Sequence, residues 1–338
     1  MYNETNKKQI LGREHALREE RFDFENELPF EFDPAPWIPF RDKEVLQRCR
    51  NMTREQLTAH DNPDMEIHIT GDADALFTAD FFTRIKESDE QEKRLVVILP
   101  NPQAVQYSNI VYLCNRFGVS CRNLHTFAMD EWADQDGNVA PLTYKLGLGH
   151  SFMNNFFKKL KPELRPDISQ MNCFTNENVD NFSDLIEEAG DGGADVCYSA
   201  TGWPGHIAFI DPDTKEFASD SIEEFLTLGS RIVTQHPLTT AQNSLSGKFG
   251  GSGDIANIPY KAATIGPRDV KNSRQIIERQ CLANLGGTNS WQRMISRLSL
   301  HGPVTMQVPS SIIQLFKTTV FMSEDLARPI VTNETGRY

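Results

Sequence analysis

The sequence predicts an α/β fold, a mostly parallel sheet with helices on both faces, preceded by an N-terminal extension. Three observations carry this. Leu95–Leu99 (LVVIL) is a continuous apolar run of strand length, the pattern of a strand buried on both faces. A helix-period segment over 103–117 and a second short strand over 123–128 follow it, and strand, helix, strand at this spacing indicates a parallel crossover. Before this pattern begins, Pro29, Pro34, Pro36 and Pro39 interrupt the chain too densely for regular structure.

Along the chain, the charge-dense first 21 residues have the composition of a surface helix. The proline stretch after them carries Phe30, Phe32, Trp37 and Phe40, which need a surface to pack on, either in the same domain or in a neighbouring subunit. We read residues 1–62 as an appended arm and 63–338 as the α/β domain. Met65–Thr70 (MEIHIT) reads as the first strand, and residues 72–86 place apolar side chains at helical spacing. After the central strand–helix–strand unit, residues 151–160 and 179–189 read as helices and 194–199 as another buried strand. Residues 261–265 read as a further strand stopped by Gly266-Pro267, and 269–280 as a helix.

The bulk properties narrow the functional classes. In 338 residues, 39% hydrophobic and 24% charged, there is ample material for a core. A formal net charge of -13 speaks against binding to nucleic-acid backbones, which requires clustered Lys and Arg. Six scattered cysteines form no C-x-x-C pair, no apolar signal core opens the chain, and no run approaches the length of a membrane span, so a cytoplasmic protein without membrane contact is expected. The eight histidines show no H-x-x-x-H or Cys/His ligand spacing, so no metal is implied.

Ligands of open parallel sheets bind outside the carboxyl ends of strands. Three polar clusters lie at such ends: 101–103 with Asn101 and Gln103, Asp130-Glu131, and 202–211 with Gly202, Gly205, His206 and Asp211. Taken singly, each has an ordinary structural explanation. An acidic pair after a strand also serves as a helix cap, and in an extended backbone only one of two adjacent carboxylates faces a given cleft. A histidine beside a Gly-rich turn also bonds to backbone.

Order and spacing are more specific than the single residues. Thr126-Phe127-Ala128-Met129-Asp130-Glu131-Trp132 resembles the T-F-x-M-D-E-aromatic motif of the glucosamine-6-phosphate deaminase/isomerase family, which is related to the 6-phosphogluconolactonases. Gly205-His206-Ile207-Ala208-Phe209-Ile210-Asp211-Pro212 is similar to that family's G-H-I-A-F-N-E-P, and Ala263-Thr264-Ile265-Gly266 matches a later strand. The resemblance spans roughly residues 65–310 and implies a Rossmann-like fold. It implies that Asp130 shuttles a proton between the first two carbons of an open-chain sugar, and that His206 helps to open the ring. An unperturbed imidazole pKa of about 6.5 suits that task. Asp211, one methylene shorter than the family glutamate, would orient His206. Sugar contacts are expected at Asn101, Gln103, Glu131, Gly202 and Gly205, with Asn101 and Gln103 bonding neutral hydroxyls; the chemistry needs no cofactor, and the resemblance implies a homo-oligomer.

Several positions depart from the family pattern. Pro204 stands where the family carries an aspartate, which removes one member of the acid/base relay. Leu99-Pro100-Asn101-Pro102-Gln103 replaces a Gly- and Thr-rich phosphate loop whose backbone N–H groups proline cannot supply. Leu245 falls where an arginine is expected, and no lysine follows near Thr288-Asn289-Ser290, leaving Arg231, Lys248, Arg268 or Arg293 to compensate. The leading reading is a divergent isomerase or deaminase-like enzyme acting by proton transfer next to a carbonyl, on a sugar or amino sugar with or without the 6-phosphate. The alternatives are a lactonase-like hydrolase and a non-catalytic sugar-binding protein.

Overall fold

The computed structural model describes residues 31–101, 103–284 and 287–332; the helix expected within residues 1–21 lies outside them. The chain divides into two compact units, Met1–Ile38 and Pro39–Tyr338. The described part of the first unit is irregular and ends in a turn closed by the Ile38 N–H on the Ala35 carbonyl, 3.0 Å.

The second unit begins earlier than the residue-62 boundary expected from the prolines. Two short helices, Lys43–Arg50 and Arg54–Thr58, start at the capping residues Asp42 and Thr53, and they bury Cys49 and Leu57. Leu57 joins the main core, and Cys49 packs with Ile295, Leu298 and Val308. The small apolar set of this segment is what ties it to the body.

The strands are β1 (Met65–Thr70), β2 (Leu95–Leu99), β3 (Leu124–Ala128), β4 (Asp130–Ala133), β5 (Met171–Asn172), β6 (Val196–Ser199), β7 (Arg231–Thr234), β8 (Lys261–Thr264), β9 (Ile276–Gln280), β10 (Ala283–Asn284), β11 (Gly287–Thr288) and β12 (Thr318–Ser323). Among the described residues, seven form one parallel sheet in the order β1-β12-β9-β6-β2-β3-β5. Alternation along each strand divides the core. Val96 and Ile98 of β2, Cys197 of β6, Ile276 of β9 and Val320 of β12 face one apolar layer with Phe182, Ile186 and Leu300. Leu95, Val97 and Leu99, with Val196, Tyr198, Ile277 and Phe321, face the other, which is filled by Phe77, Phe81 and Ile85 of the helix Ala73–Gln91 and by Tyr107 and Ile110 of Ala104–Phe117. Helices therefore cover both faces, as the continuous apolar strands require.

One further expected element is borne out and one is corrected. Residues 261–265 form a strand, but in a separate antiparallel sheet, β4-β8-β7. The helix expected over 269–280 exists only as Pro267–Asn272, and the rest is β9, a fully buried strand inside the main sheet. Its sequence, IIERQ, reads as helical surface because three of its five residues are polar. The fold satisfies them instead: Ser199, Thr201 and Gln280 donate to the Glu278 carboxylate, and Arg279 is paired with Asp74.

Candidate active site

The catalytic-type residues converge on one cleft at the carboxyl ends of β2, β3, β6 and β9. Asn101, Gln103, Asp130, Gly202 and His206 all line it, together with Thr201, Gln242, Lys248, Arg279, Asn289 and Trp291.

Asp130 opens β4 directly after β3, where register places it opposite Thr264 of β8. The strand backbone turns alternate side chains to opposite sides, so Asp130 enters the cleft and Glu131 leaves it. Glu131 is not a cleft residue. Its carboxylate accepts the N–H groups of Leu148 (2.8 Å) and Gly149 (2.7 Å) at the start of the helix Leu148–Asn155, and that of Trp132 (2.9 Å). The sugar contact expected of it is replaced by a helix-capping role, the ordinary use of an acid after a strand. Asp130 is buried and its Oδ1 has no hydrogen-bond partner among the described residues. Burial, aided by the neighbouring Glu131 charge, pushes its carboxyl well above the usual carboxylate range, while Lys248 pulls in the opposite direction.

His206 sits at the end of a turn in which the Gly202 N–H bonds to the His206 carbonyl (3.1 Å) and the Gly205 N–H to the Gly202 carbonyl (2.9 Å). Gly202 must be glycine, because a Cβ there would stand 1.8 Å from His206 Nε2. Gly205 adopts φ +92° outside the cleft lining, so its part is conformational rather than a direct sugar contact. The imidazole is buried, with Nδ1 2.8 Å from Asp211 Oδ1 and 2.9 Å from Thr239 Oγ1. Asp211 is fixed in turn: the Thr239 hydroxyl donates to Oδ1 (2.6 Å) and the His236 N–H to Oδ2 (2.8 Å). A carboxylate acceptor on Nδ1 holds the proton there and leaves Nε2 as the basic nitrogen.

Asn101 and Gln103 lie at the mouth of the helix Ala104–Phe117. Both amide heteroatoms of Asn101 and the Gln103 Oε1 are buried without a partner among the described residues. Of the four basic residues named for the missing anion site, only Lys248 lines the cleft. Arg231 bonds to the Glu216 carbonyl, Arg268 pairs with Asp184 and Glu187, and Arg293 donates to the carbonyls of Arg328 and Pro329. Lys248 donates to the Gly147 carbonyl (2.7 Å), and burial brings its ammonium down to about 8.

Sequence reasoning missed Thr239, Gln242, Arg279 and the two indoles Trp203 and Trp291. Arg279 was hidden by the helical reading of β9. Trp203 lies within the turn that carries His206, but nothing in the chain places Trp291 beside it.

No family model matches the chain. Over 263 residues it is 26% identical to glucosamine-6-phosphate deaminase of Caenorhabditis elegans, covering 76% of this chain and 87% of that protein. The enzyme of the same name from Borrelia garinii subsp. bavariensis is 28% identical over 254 residues, covering 72% and 82%. The chain is thus similar, at low identity, to the glucosamine-6-phosphate deaminases. Its fold agrees with that relation. A solved structure described as a monomeric glucosamine-6-phosphate deaminase superposes with a TM-score of 0.57 at 22% identity, covering 78% of this chain and 98% of that one. The 6-phosphogluconolactonase of Leishmania guyanensis superposes at 0.54 and 8%, covering 79% and 98%. Against the deaminase pattern, the cleft keeps the aspartate and histidine and loses the acid at Pro204. The position matched to the deaminase arginine, Leu245, is exposed and outside the cleft, whereas Lys248, one turn on, is inside it.

Proposed function

We propose that the protein transfers a proton between adjacent carbons beside the carbonyl of an open-chain sugar or amino sugar, in the manner of an aldose–ketose isomerase or amino-sugar deaminase. The observation that carries this reading is the buried, unpartnered Oδ1 of Asp130 facing the same cleft as His206. His206 Nε2 exchanges a proton with the ring oxygen as the ring opens, while Asp211 and Thr239 hold its tautomer. Asp130 then removes the proton on C2, and the electron pair of that C–H bond becomes the C1–C2 double bond as the carbonyl oxygen gains a proton. Return of the proton from Asp130 to C1, as the group on C2 gives up its own proton, yields the ketose from a C2 hydroxyl or, from a C2 amino group, the imine that water hydrolyses with release of ammonia. A carboxyl whose affinity for protons is raised by burial matches a carbon acid better than an exposed one does. Lys248, close enough to Asp130 to act on its charge, stabilises negative charge developing on the enediol oxygens.

The test is deuterium incorporation. The protein is incubated in D₂O with amino, neutral and acidic sugars, each with and without phosphate, and the C2 proton is followed by NMR. Exchange with at least one sugar, lost in Asp130→Asn, is expected; binding without exchange across the panel would sink the reading and favour lactone hydrolysis or binding alone.

A further inference from the structure

We propose that the stacked indoles of Trp203 and Trp291 form the specificity wall of the cleft, and that the substrate is an uncharged sugar whose C–H face packs on Trp291. This rests on the reading of the cleft as a sugar site, and it names the class of sugar.

The two rings lie 8° from parallel with centroids 6.1 Å apart. Trp291 lines the cleft and Trp203 backs it; both are partly buried. The main chain that carries Trp203 is fixed: its backbone N–H donates to Gln242 Oε1 (2.6 Å), itself a lining residue, and Pro204 follows directly in the chain. Trp291 packs on the apolar cluster of Phe40, Cys49, Ile295, Leu298 and Val308. A rigid indole face is matched by the C–H face of a sugar, which leaves the hydroxyls at the ring edge for neutral hydrogen-bonding partners. Such partners stand ready in the Asn101 amide and Gln103 Oε1, which have none within the described protein.

The charge of the cleft points the same way. Each of its cations already faces a carboxylate: Lys248 stands by Asp130 and Glu131, and Arg279 is paired with Asp74. A phosphate monoester brings a charge of about -1.5 to -2 at neutral pH, which such a cleft does not offset.

The test uses the full chain carrying Asp130→Asn, so that sugars bind without turnover, and compares glucosamine and fructose with their 6-phosphates. Affinity is read from tryptophan fluorescence, and contact from saturation transfer between indole and sugar protons. We expect a neutral sugar to bind at least tenfold more tightly than its phosphorylated partner, with transfer concentrated on its C–H protons. Adding Trp291→Ala should weaken that binding about tenfold, while Trp291→Phe retains most of it. In the otherwise wild-type enzyme, Trp291→Ala should raise KM with kcat changed by less than about threefold. Tighter binding of the phosphorylated sugars overturns the proposal, as does unchanged affinity in a folded Trp291→Ala or no binding by any of the four. Binding that depends on Trp291 without deuterium exchange would sustain the wall and sink the proton-transfer reading; exchange indifferent to Trp291 would do the reverse.

Discussion

Asp211 is one methylene shorter than the residue it matches in the deaminase motif, and Thr239 makes up the difference. Its hydroxyl lies within hydrogen-bond distance of both His206 Nδ1 and Asp211 Oδ1, so the imidazole is held by two side chains rather than one. Removing that hydroxyl frees the ring to tilt without touching the cleft wall. Thr239→Ala is therefore expected to lower the rate of C2 deuterium exchange about tenfold, less than the roughly hundredfold or more that a positioned acid–base group itself supplies, with KM little changed and Thr239→Ser close to wild type. An unchanged exchange rate in the alanine variant would mean that Asp211 alone suffices. The motif residues Asp130 and His206 were legible in the sequence because each lies within a run of several specific neighbours. Thr239 was not, since it acts from a helix 33 residues beyond His206 and no local pattern marks it.

At the scale of elements, the helices Lys43–Arg50 and Arg54–Thr58 are clasped to the helix Gln292–His301 by reciprocal contacts. The Arg48 guanidinium donates to the His301 carbonyl (2.8 Å), His301 Nε2 lies 3.1 Å from the Leu57 carbonyl, and His60 Nε2 lies 3.1 Å from that of Leu300. Burial is the main force that brings His301 down to about 4, with His60, Arg48 and Arg297 adding to it against the bond to Leu57. The sign follows from linkage. A lowered pKa in the folded state means the unfolded chain takes up the proton first, so the contribution is complete above about pH 6.5 and is lost as the pH falls towards 4. Up to about 3 kcal/mol is at stake. Urea midpoints measured from pH 7 to 4 should fall less steeply in His301→Gln than in wild type; parallel curves would show that the clasp does not titrate. The residues of this clasp sit in the stretch read as an arm, because its prolines were visible in the chain and its partners, some 240 residues away, were not.

For the molecule as a whole, stability resides in two apolar layers divided by the parallel sheet. Phe81, fully buried, touches Tyr198 at 5.1 Å and stacks on Phe156 at 6.2 Å, in the layer remote from the antiparallel sheet that carries Asp130. Phe81→Ala should cost about 3–5 kcal/mol in urea denaturation, with C2 exchange at low temperature preserved; a smaller loss would mean that the layer collapses around the cavity. By itself the sequence determined the parallel α/β layering, the strands β1, β2, β3 and β6, and Asp130 and His206 as residues of one cleft. Those features depend on periodicity and on contiguous motifs, which are local properties of a chain. Tertiary structure alone decided that IIERQ is a central strand, that Glu131 caps a helix while Asp130 faces the cleft, and that Trp203 meets Trp291. Each of these depends on partners far away in the chain: hydroxyls that satisfy a buried glutamate, backbone N–H groups that donate to one of two adjacent acids, and an indole contributed 88 residues later. Local propensity cannot register such partners, because the free energy that decides the outcome belongs to the contact and not to the segment.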